Sequence, residues 1–481
     1  MTRRGKVGRR RYIGSAALVL TLFAASCASD DASSSDSATS ASGNVGATAG
    51  SAEPDDDASD SDSDSDSDYD SDSGASEGSD GTAAVAADDC NAGDRSTASE
   101  AAVELEVVSN GDGPEVRAAV YPVPDHEGNP WSQWGQGVML PDGRFVSAVG
   151  DHLGRDGNSW VYEYDPATGM LERTAEVSAA LGHQQGDWGY GKVHAPMLVR
   201  GCGEIVTSTY WGTRRDLQLG GSYEGDHLIR YDPATRTVES LGVPVPGHGL
   251  PSLAMSPDGR WVFGEAVDPE SEPDAGVFFV ADAESGEVVY EADDDRHRGF
   301  RSILVSPAGE AFYAIGGGDL VAVDADGNTR EVNDVLSGGW LRASTASTAD
   351  GSVYGTTRDP DALFRLSADG DFSSLGPVED YVASLAVAPD GETLYYVPGA
   401  HGSGADFGTP LVAVDIESGD HEIIVNLNDL IEPALGVTAG GTYNVVVDPS
   451  GERLYIGLNS GPPGEFGETF GTVVLAVVEL P

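Results

Sequence analysis

Three features of the sequence predict an all-β fold built from seven similar units. A tight-turn motif, Pro-Asp-Gly or a close relative, recurs seven times, and its glycines are 40–60 residues apart. The segments beside the turns, such as 261–263 and 278–280, are short and rich in β-branched and aromatic residues. No segment shows sustained helical periodicity. Repeats of this length with four strands each are typical of propeller blades, so the sequence predicts a seven-bladed β-propeller with four-stranded blades.

Each unit is expected to contain two tight turns. The first turn is formed by residues 141–143, 201–203, 257–259, 307–309, 349–351, 389–391 and 449–451. The second turn joins an Asp to a later Gly, at 165–169, 282–286, 324–327 and 415–419, with 232–236 as a variant that lacks the Gly. Gly can adopt the positive φ of a tight hairpin, and the Asp side chain can bond to its own backbone.

The strand count predicts how the ring closes. The last unit supplies only three strands, at 442–447, 453–458 and 472–479. A fourth strand is expected from within residues 104–121, which would leave no open sheet edge between the first and last blades. Residues 89–481 are therefore assigned to the propeller domain.

The N-terminus is predicted to be an export and lipidation signal, residues 1–27. Basic residues 3–11 precede an apolar run at 13–26, which is long enough for a signal-peptide core and too short to span a bilayer. Residues 24–27, Ala-Ala-Ser-Cys, resemble a bacterial lipobox, although Ala24 stands where Leu is usual. The resemblance implies that Cys27 is lipidated and anchors the protein at the extracytoplasmic face of the membrane, in the cell envelope. Residues 9–13 resemble a twin-arginine signal, so the export route stays open, and a plain cleaved signal is the alternative to lipidation.

The charge distribution predicts a disordered linker and limits the possible partners. The chain carries 26 Lys and Arg against 80 Asp and Glu, a formal charge of −54. Residues 28–88 form a Ser/Asp-rich acidic tract that cannot bury enough apolar surface to fold. Residues 90–481 still carry a net charge of −42, which argues against binding to nucleic acid or to an anionic membrane surface. Membrane contact is expected only through the lipid, and a monomer is expected.

Two cysteines remain in the expected mature domain. In an oxidising compartment such a pair usually forms a disulfide, so Cys90 and Cys202 are predicted to be joined. The bond would attach the start of the domain to the first tight turn of the second blade. Two unpaired thiols are the alternative, because the sequence does not give the distance between the two residues.

The long loops are predicted to carry the functional site. In a propeller they surround the channel mouth on the face opposite the tight turns, and eight of the nine His residues fall in or beside them. Arg suits carboxylate or phosphate, and aromatic rings stack on sugars or planar groups. The ligand-binding candidates are His183, Trp188, Tyr190, Trp211, Ser252, Arg301, Trp340, Arg342, Tyr381, Tyr443 and Asn444.

The repeats resemble the seven-bladed YVTN and NHL-like propellers, a group that includes enzymes, binding modules and scaffolds. The resemblance implies a fold and carries no activity. The favoured hypothesis is a module that binds a small-molecule, carbohydrate or peptide ligand at the channel mouth. A protein–protein interaction scaffold is one alternative.

A metal-assisted lyase or hydrolase is the other alternative. Some seven-bladed propeller lyases use His with a divalent metal at the mouth, which implies His194, His248 and His297 as catalytic and metal-binding candidates here. Neutral His can bind a metal, and a nearby His or Tyr can remove a proton next to a carbonyl. The sequence contains no HExxH, Gly-x-Ser-x-Gly or phosphate-loop motif, so a divalent metal is the one cofactor considered.

Overall fold

The computed structural model describes residues 101–109, 111, 113–125, 128, 130–210, 223–268, 276–292, 301–333, 335–464 and 470–480. Within these residues the strands form seven antiparallel sheets arranged as the blades of a ring. The predicted seven-bladed β-propeller is therefore confirmed. The signal peptide, the linker, Cys27 and Cys90 lie outside the described residues, so the predictions about them stay predictions.

Three short strands precede the blades: β1 (Ala101–Glu104), β2 (Glu106–Val107) and β3 (Val116–Val120). Blade 1 contains β4 (Val138–Met139), β5 (Phe145–Gly150), β6 (Ser159–Asp165) and β7 (Met170–Glu176). Blade 2 contains β8 (Lys192–Val193), β9 (Leu198–Arg200), β10 (Glu204–Tyr210), β11 (Leu228–Asp232) and β12 (Thr237–Gly242). Its innermost strand is divided, because β8 and β9 both pair with β10.

The next two blades have four strands each. Blade 3 contains β13 (Gly249–Met255), β14 (Trp261–Val267), β15 (Gly276–Asp282) and β16 (Val288–Glu291). Blade 4 contains β17 (Leu304–Val305), β18 (Ala311–Gly316), β19 (Asp319–Val323) and β20 (Thr329–Val332).

The last three blades complete the ring. Blade 5 contains β21 (Trp340–Ser344), β22 (Val353–Arg358), β23 (Ala362–Leu366) and β24 (Phe372–Pro377). Blade 6 contains β25 (Leu385–Val387), β26 (Thr393–Tyr396), β27 (Pro410–Asp415) and β28 (His421–Asn426). Blade 7 contains β29 (Thr438–Val447), β30 (Arg453–Gly461) and β31 (Thr472–Glu479), and the helical segments are α1 (Val177–Ala180), a 3-10 helix (Ser403–Phe407) and α2 (Asn428–Leu435).

Ring closure follows the prediction. Strand β3 pairs with β31 along its whole length, and so supplies the fourth strand of blade 7 from the N-terminal side. Strand β2 then adds to the outside of β3, and β1 pairs with the outer strand β7 of blade 1. The N-terminal segment therefore contacts both the last and the first blade. Only its contact with the last blade was expected.

The seven first turns owe their shape to glycine. The glycine of every turn has a positive φ: Gly143 86°, Gly203 116°, Gly259 71°, Gly309 86°, Gly351 79°, Gly391 76° and Gly451 73°. This is the left-handed region that residues with a Cβ rarely adopt, so it explains why the sequence repeats glycine there. Cys202 lies in the second of these turns.

The variant second turn of blade 2 shows how a non-glycine residue is accommodated. Arg236 takes the glycine position with a φ of 59°. Its guanidinium donates to Glu163 at 3.1 Å and to Glu172 at 2.6 Å on blade 1. These ion pairs between blades offset the cost of the left-handed conformation, which is about 1–2 kcal/mol for a residue with a Cβ.

Seven hydrophobic clusters of buried side chains hold neighbouring blades together, each drawn from two adjacent blades of the described chain. In the cluster between blades 7 and 1, for example, Phe145 stacks on Tyr455 with ring centres 5.2 Å apart. The blades are therefore packed against one another along their faces, which leaves the edges of the innermost strands to surround the central channel.

One helix departs from the expectation of an all-strand repeat. Strand β28 is followed by α2, whose Leu430 and Ile431 are buried against the cluster between blades 6 and 7. The helix ends at Leu435 and is followed by Gly436, which has a φ of 69°. Eight residues are too few for a helical period to stand out in the sequence, so the helix was missed. Of the described residues, no helix has the length and apolar character needed to cross a membrane.

Candidate functional site

Trp134 lies where loops of four blades meet at the channel mouth. Its side chain is 4% exposed. Its ring is surrounded by His152 at 5.5 Å, His194 at 6.2 Å, His401 at 6.0 Å, Tyr443 at 5.1 Å and Phe470 at 5.3 Å between centres. We call these rings, together with Tyr210 and Tyr381, the mouth cluster. Tyr210 lies 4.8 Å from His194, and Tyr381 lies 6.4 Å from Tyr443.

Blade 7 holds the segment that carries Trp134. The backbone of Gln133 exchanges two hydrogen bonds with the side chain of Asn459, at 2.8 and 2.9 Å. The backbone N–H of Gly137 donates to the Asn444 side-chain oxygen at 3.0 Å. Asn444 was predicted as a ligand contact, and the structure places it as a buried residue that positions the Trp134 segment.

Four cations surround the mouth cluster. Lys192 Nζ lies 4.4 Å from the centre of the Trp134 ring. The guanidinium carbon of Arg301 lies 5.5 Å from Trp134 and 4.5 Å from Tyr443, and that of Arg358 lies 4.7 Å from Tyr381. These distances suit cation–π contacts, which hold the cations in place. The fourth cation, Arg342, comes from β21.

Repulsion among these cations affects the pKa of Arg342. Burial lowers the pKa of Arg342, and the charges of Arg301 and Arg358 act in the same direction. Acidic side chains also lie near these cations. Glu265 is buried opposite Ser252, and the pKa of Asp361 is raised by burial while Arg358 and Arg342 oppose the rise. Guanidinium stays charged despite such shifts, so the site holds permanent positive charges within an acidic protein.

Two of the mouth histidines, His194 and His152, have pKa values that favour the neutral ring. Burial lowers the pKa of His194 well below its usual value, and the nearby charges of Arg301 and Lys192 lower it further. Burial and Lys192 also lower the pKa of His152. The Nδ1–H of His194 donates to the Pro251 carbonyl oxygen at 2.8 Å, which leaves the lone pair of the neutral ring on Nε2. Positive charge at the mouth therefore comes from Lys and Arg.

Arg301 has an unusual backbone. Its φ is 106°, a value that residues with a Cβ rarely adopt. Its N–H donates to the Ser252 hydroxyl on the neighbouring blade at 2.5 Å. Strained residues of this kind are concentrated at functional sites, where the surrounding structure enforces them. Ser252, another predicted candidate, thus holds Arg301 in position.

Beneath the mouth cluster the channel contains a small cavity, which we call the central chamber. Its volume is about 40 Å³, enough for a few water molecules or one carboxylate group. Its polar lining comes from several blades: Gln136, His194, Arg301, Ser302, Arg342 and Ser344, with Trp134 and Tyr443 on the side of the mouth.

The structure places most of the predicted candidates in two regions. The structure brings together His194, Arg301, Arg342 and Tyr443 in the wall of the central chamber, with Tyr381 in the mouth cluster. His183, Trp188 and Tyr190 lie in a neighbouring loop region, which contacts the mouth cluster through Tyr210. There His183 Nε2 is 3.1 Å from the Asp187 carbonyl oxygen, Trp188 and Tyr190 pack with Tyr210, and the Tyr190 hydroxyl bonds to His227 Nε2 at 3.0 Å.

The remaining candidates lie elsewhere. His248 is half-buried outside the central chamber, and its Nδ1 is 2.9 Å from the Pro246 carbonyl oxygen. Trp340 is half-buried at the start of β21, paired with Arg358. Trp211 and His297 lie outside the described residues. Among the described residues, no group of three or more His, Cys, Asp or Glu side chains could hold a metal ion.

The candidates predicted from the sequence did not include the residues at the centre of the site. Trp134, Lys192, Arg358 and His401 were not among the candidates, although Trp134 and His401 fall in long loops. Lys192 carried a usable signal, because it is one of only two lysines in the chain and lies two residues before His194. Phe470 gave no signal in the sequence.

Comparison with known proteins supports the architecture. No family model and no curated protein matches the chain. An oligogalacturonate lyase solved in complex with manganese matches 80% of this chain and 98% of its own, at 13% identity and a TM-score of 0.51. An oligogalacturonate lyase from Vibrio parahaemolyticus matches 80% of this chain and 99% of its own, at 12% identity and a TM-score of 0.48. A virginiamycin B lyase from Staphylococcus aureus matches 76% of this chain and 99% of its own, at 9% identity and a TM-score of 0.47.

At such low identity, the first of these likenesses shows a shared fold and nothing about activity. What this site can do must follow from its own residues. A small chamber lined by two guanidiniums, neutral histidine and hydroxyls suits an anionic group.

Proposed function

We propose that the protein is a lipid-anchored module of the cell envelope that binds a small molecule through an anionic group in the central chamber. The observation that carries the proposal is the convergence of Arg301 and Arg342 on one small polar chamber, in a chain of net charge −54. Guanidinium pairs with carboxylate through two parallel hydrogen bonds, which gives both affinity and orientation.

The surroundings of the chamber strengthen this interaction. Aromatic rings enclose it on the mouth side and lower the local dielectric, so a charge pair is stronger there than in water. The anion would also relieve the repulsion that Arg342 experiences from Arg301 and Arg358. Binding therefore stabilises the folded protein as well as the ligand's orientation.

A divalent metal fits this position less well. His194 offers a neutral Nε2, yet Lys192 and Arg301 lie close enough to lower its pKa, and the same charges repel a second cation. A metal-assisted lyase remains the competing hypothesis to be tested. It requires ligands in addition to His194, of which His297 lies outside the described residues.

The test is thermal unfolding of the purified protein with matched pairs of small molecules, acetate against acetamide and benzoate against benzamide. The carboxylates should raise the melting temperature, by the equivalent of about 2.7 kcal/mol when the ligand is at about 100 times its Kd. The amides should have no effect, because they have the same shape and no charge. Equal shifts from both members of a pair, or none from either, would overturn the proposal.

The same assay separates the metal hypothesis. The chelator 1,10-phenanthroline, which carries no carboxylate, should leave the melting temperature and the response to carboxylates unchanged if the cations of the chamber bind the anion directly. A lower melting temperature and a lost carboxylate response on adding 1,10-phenanthroline, with recovery on adding Mn²⁺, would favour a metal site instead.

A further inference from the structure

Below the central chamber, the channel widens into a second cavity of about 820 Å³. We call it the lower vestibule. Residues from all seven blades line it, and its rim includes Pro257, Ala349 and Pro389 from the tight turns. It therefore opens on the tight-turn face, opposite the mouth cluster. A cavity of this size matches those that hold small organic ligands, which are about 300–1,000 Å³.

The wall of the lower vestibule is mainly apolar. One position, two residues before each first turn, contributes a partly exposed apolar side chain from five blades: Val199, Met255, Val305, Val387 and Val447. Blade 5 has Ser347 at this position. The described residues that line the vestibule include no charged side chain, although charged residues make up 22% of the chain.

The two cavities are continuous in their walls. Gln136, Pro196, Leu253, Ile303 and Ser344 line both of them. Along β13, Ser252 bonds to Arg301, Leu253 belongs to both cavities and Met255 lines the vestibule. The two guanidiniums of the chamber therefore lie at the inner end of an uncharged apolar cavity.

From this division of charge we infer that the channel binds an acidic amphiphile, a molecule with one carboxylate and an apolar chain. Its carboxylate lies at Arg301 and Arg342 in the central chamber, and its apolar chain lies in the lower vestibule, entered from the tight-turn face. A carboxylate would lose its hydration without compensation in the vestibule, whereas methylene groups gain by burial there. The inference rests on the proposed function for its head group and adds the ligand class and the side of entry.

The experiment is calorimetric titration of the full chain with butyrate, hexanoate and octanoate, and with 1-octanol as the uncharged match to octanoate. Kd should fall about fourfold for each added methylene, which corresponds to about 0.8 kcal/mol. Octanol should bind at least tenfold more weakly than octanoate. A Kd that does not change with chain length would overturn the inference.

Two vestibule variants extend the test. Val387→Asp adds a charge to the wall, and Ser347→Trp fills the cavity from an exposed position without adding charge. Each should remove the dependence on chain length, with thermal unfolding used to confirm that the fold is kept. Ile423→Asp is the matched control, because Ile423 is 55% exposed on an outer strand. This variant should bind each ligand with the same Kd as the unaltered protein. Unchanged octanoate binding in folded Ser347→Trp protein would contradict the vestibule assignment.

The outcomes separate the two proposals. Carboxylates that bind with the same Kd at every chain length, and only when Arg301 is present, would sustain anion binding and overturn the amphiphile. Failure of carboxylates of every length to bind would overturn both. With Arg301→Gln, the preference for octanoate over octanol should disappear, while longer alcohols still bind more tightly than shorter ones.

Discussion

The guanidinium carbon of Arg301 lies 4.5 Å from the centre of the Tyr443 ring. Arg301 precedes β17 of blade 4 and Tyr443 belongs to β29 of blade 7, so this contact joins opposite parts of the ring. The backbone of Arg301 is fixed by Ser252 of blade 3, and its side chain by the mouth cluster. Its charge is thus directed at the central chamber before any ligand arrives, which reduces the ordering cost of binding.

Lipidation of Cys27 predicts how the protein is retained. The Cys27→Ser variant should leave the membrane fraction, or accumulate as an unprocessed precursor, because position 27 then has no thiol to carry the lipid. Fractionation of the native envelope followed by mass measurement of the N-terminus checks both results. Normal cleavage with unchanged membrane association would remove the lipoprotein assignment.

Ring closure through β31 predicts that deletion of this strand destabilises every blade. Residues 473–478 are all buried, and burial of their five Val and Leu side chains is worth about 8–15 kcal/mol. That is as large as the whole stability of a typical domain, about 5–15 kcal/mol. Deletion of residues 472–481 should therefore unfold the whole propeller.

Circular dichroism melting measures this effect. Deletion of residues 28–88 is the matched control, since that segment is predicted to be a linker, and the melting temperature should stay the same. A protein without residues 472–481 that melts like the full chain would contradict closure through β31.

Asp151 predicts a pH dependence of stability. Burial raises the pKa of its carboxyl to about 7, although the N–H groups of Leu153 and Asn158 donate to it at 2.9 Å. In the unfolded chain the pKa is about 3.9, so the folded protein holds an extra proton between about pH 4 and pH 7. Stability should fall as pH rises through this window, by up to about 1.4 kcal/mol per pH unit.

Urea unfolding at a series of pH values checks whether stability falls as pH rises and whether Asp151 causes the fall. Asp151→Asn cannot titrate, so its free energy of unfolding should change less between pH 4 and pH 7. Asp258→Asn, at an exposed turn, should keep the dependence of the unaltered protein. An identical pH profile in the Asp151→Asn variant would show that other groups cause it.

The fold could be predicted because its signals are local. Each first turn requires a positive φ, so glycines such as Gly259 and Gly391 recur at blade spacing. The fourth strand of blade 7 could be predicted from a count of strands. The pairing of β1 with β7 could not, because Ala101–Glu104 carries no turn or periodic pattern that would indicate an edge.

The site was harder to predict because it depends on where side chains converge. His194 and His248 occupy comparable loops, yet one is buried at the chamber and the other is bonded to its own loop through the Pro246 carbonyl. Trp134 reaches the mouth because Asn444 and Asn459 bind the backbone of its segment. Such contacts join residues more than 300 positions apart, and no spacing pattern in the sequence predicts them.

The most direct measurement is the affinity of octanoate for the Arg301→Gln variant, determined by calorimetric titration at neutral pH. Glutamine keeps a polar side chain but removes the charge and the paired donors, so Kd should rise at least tenfold, while the melting temperature without ligand changes little. Arg330→Gln is the matched control, since Arg330 pairs with Glu310 on the outer surface of blade 4, and its Kd should not change. An unchanged Kd in folded Arg301→Gln protein would contradict anion binding in the central chamber.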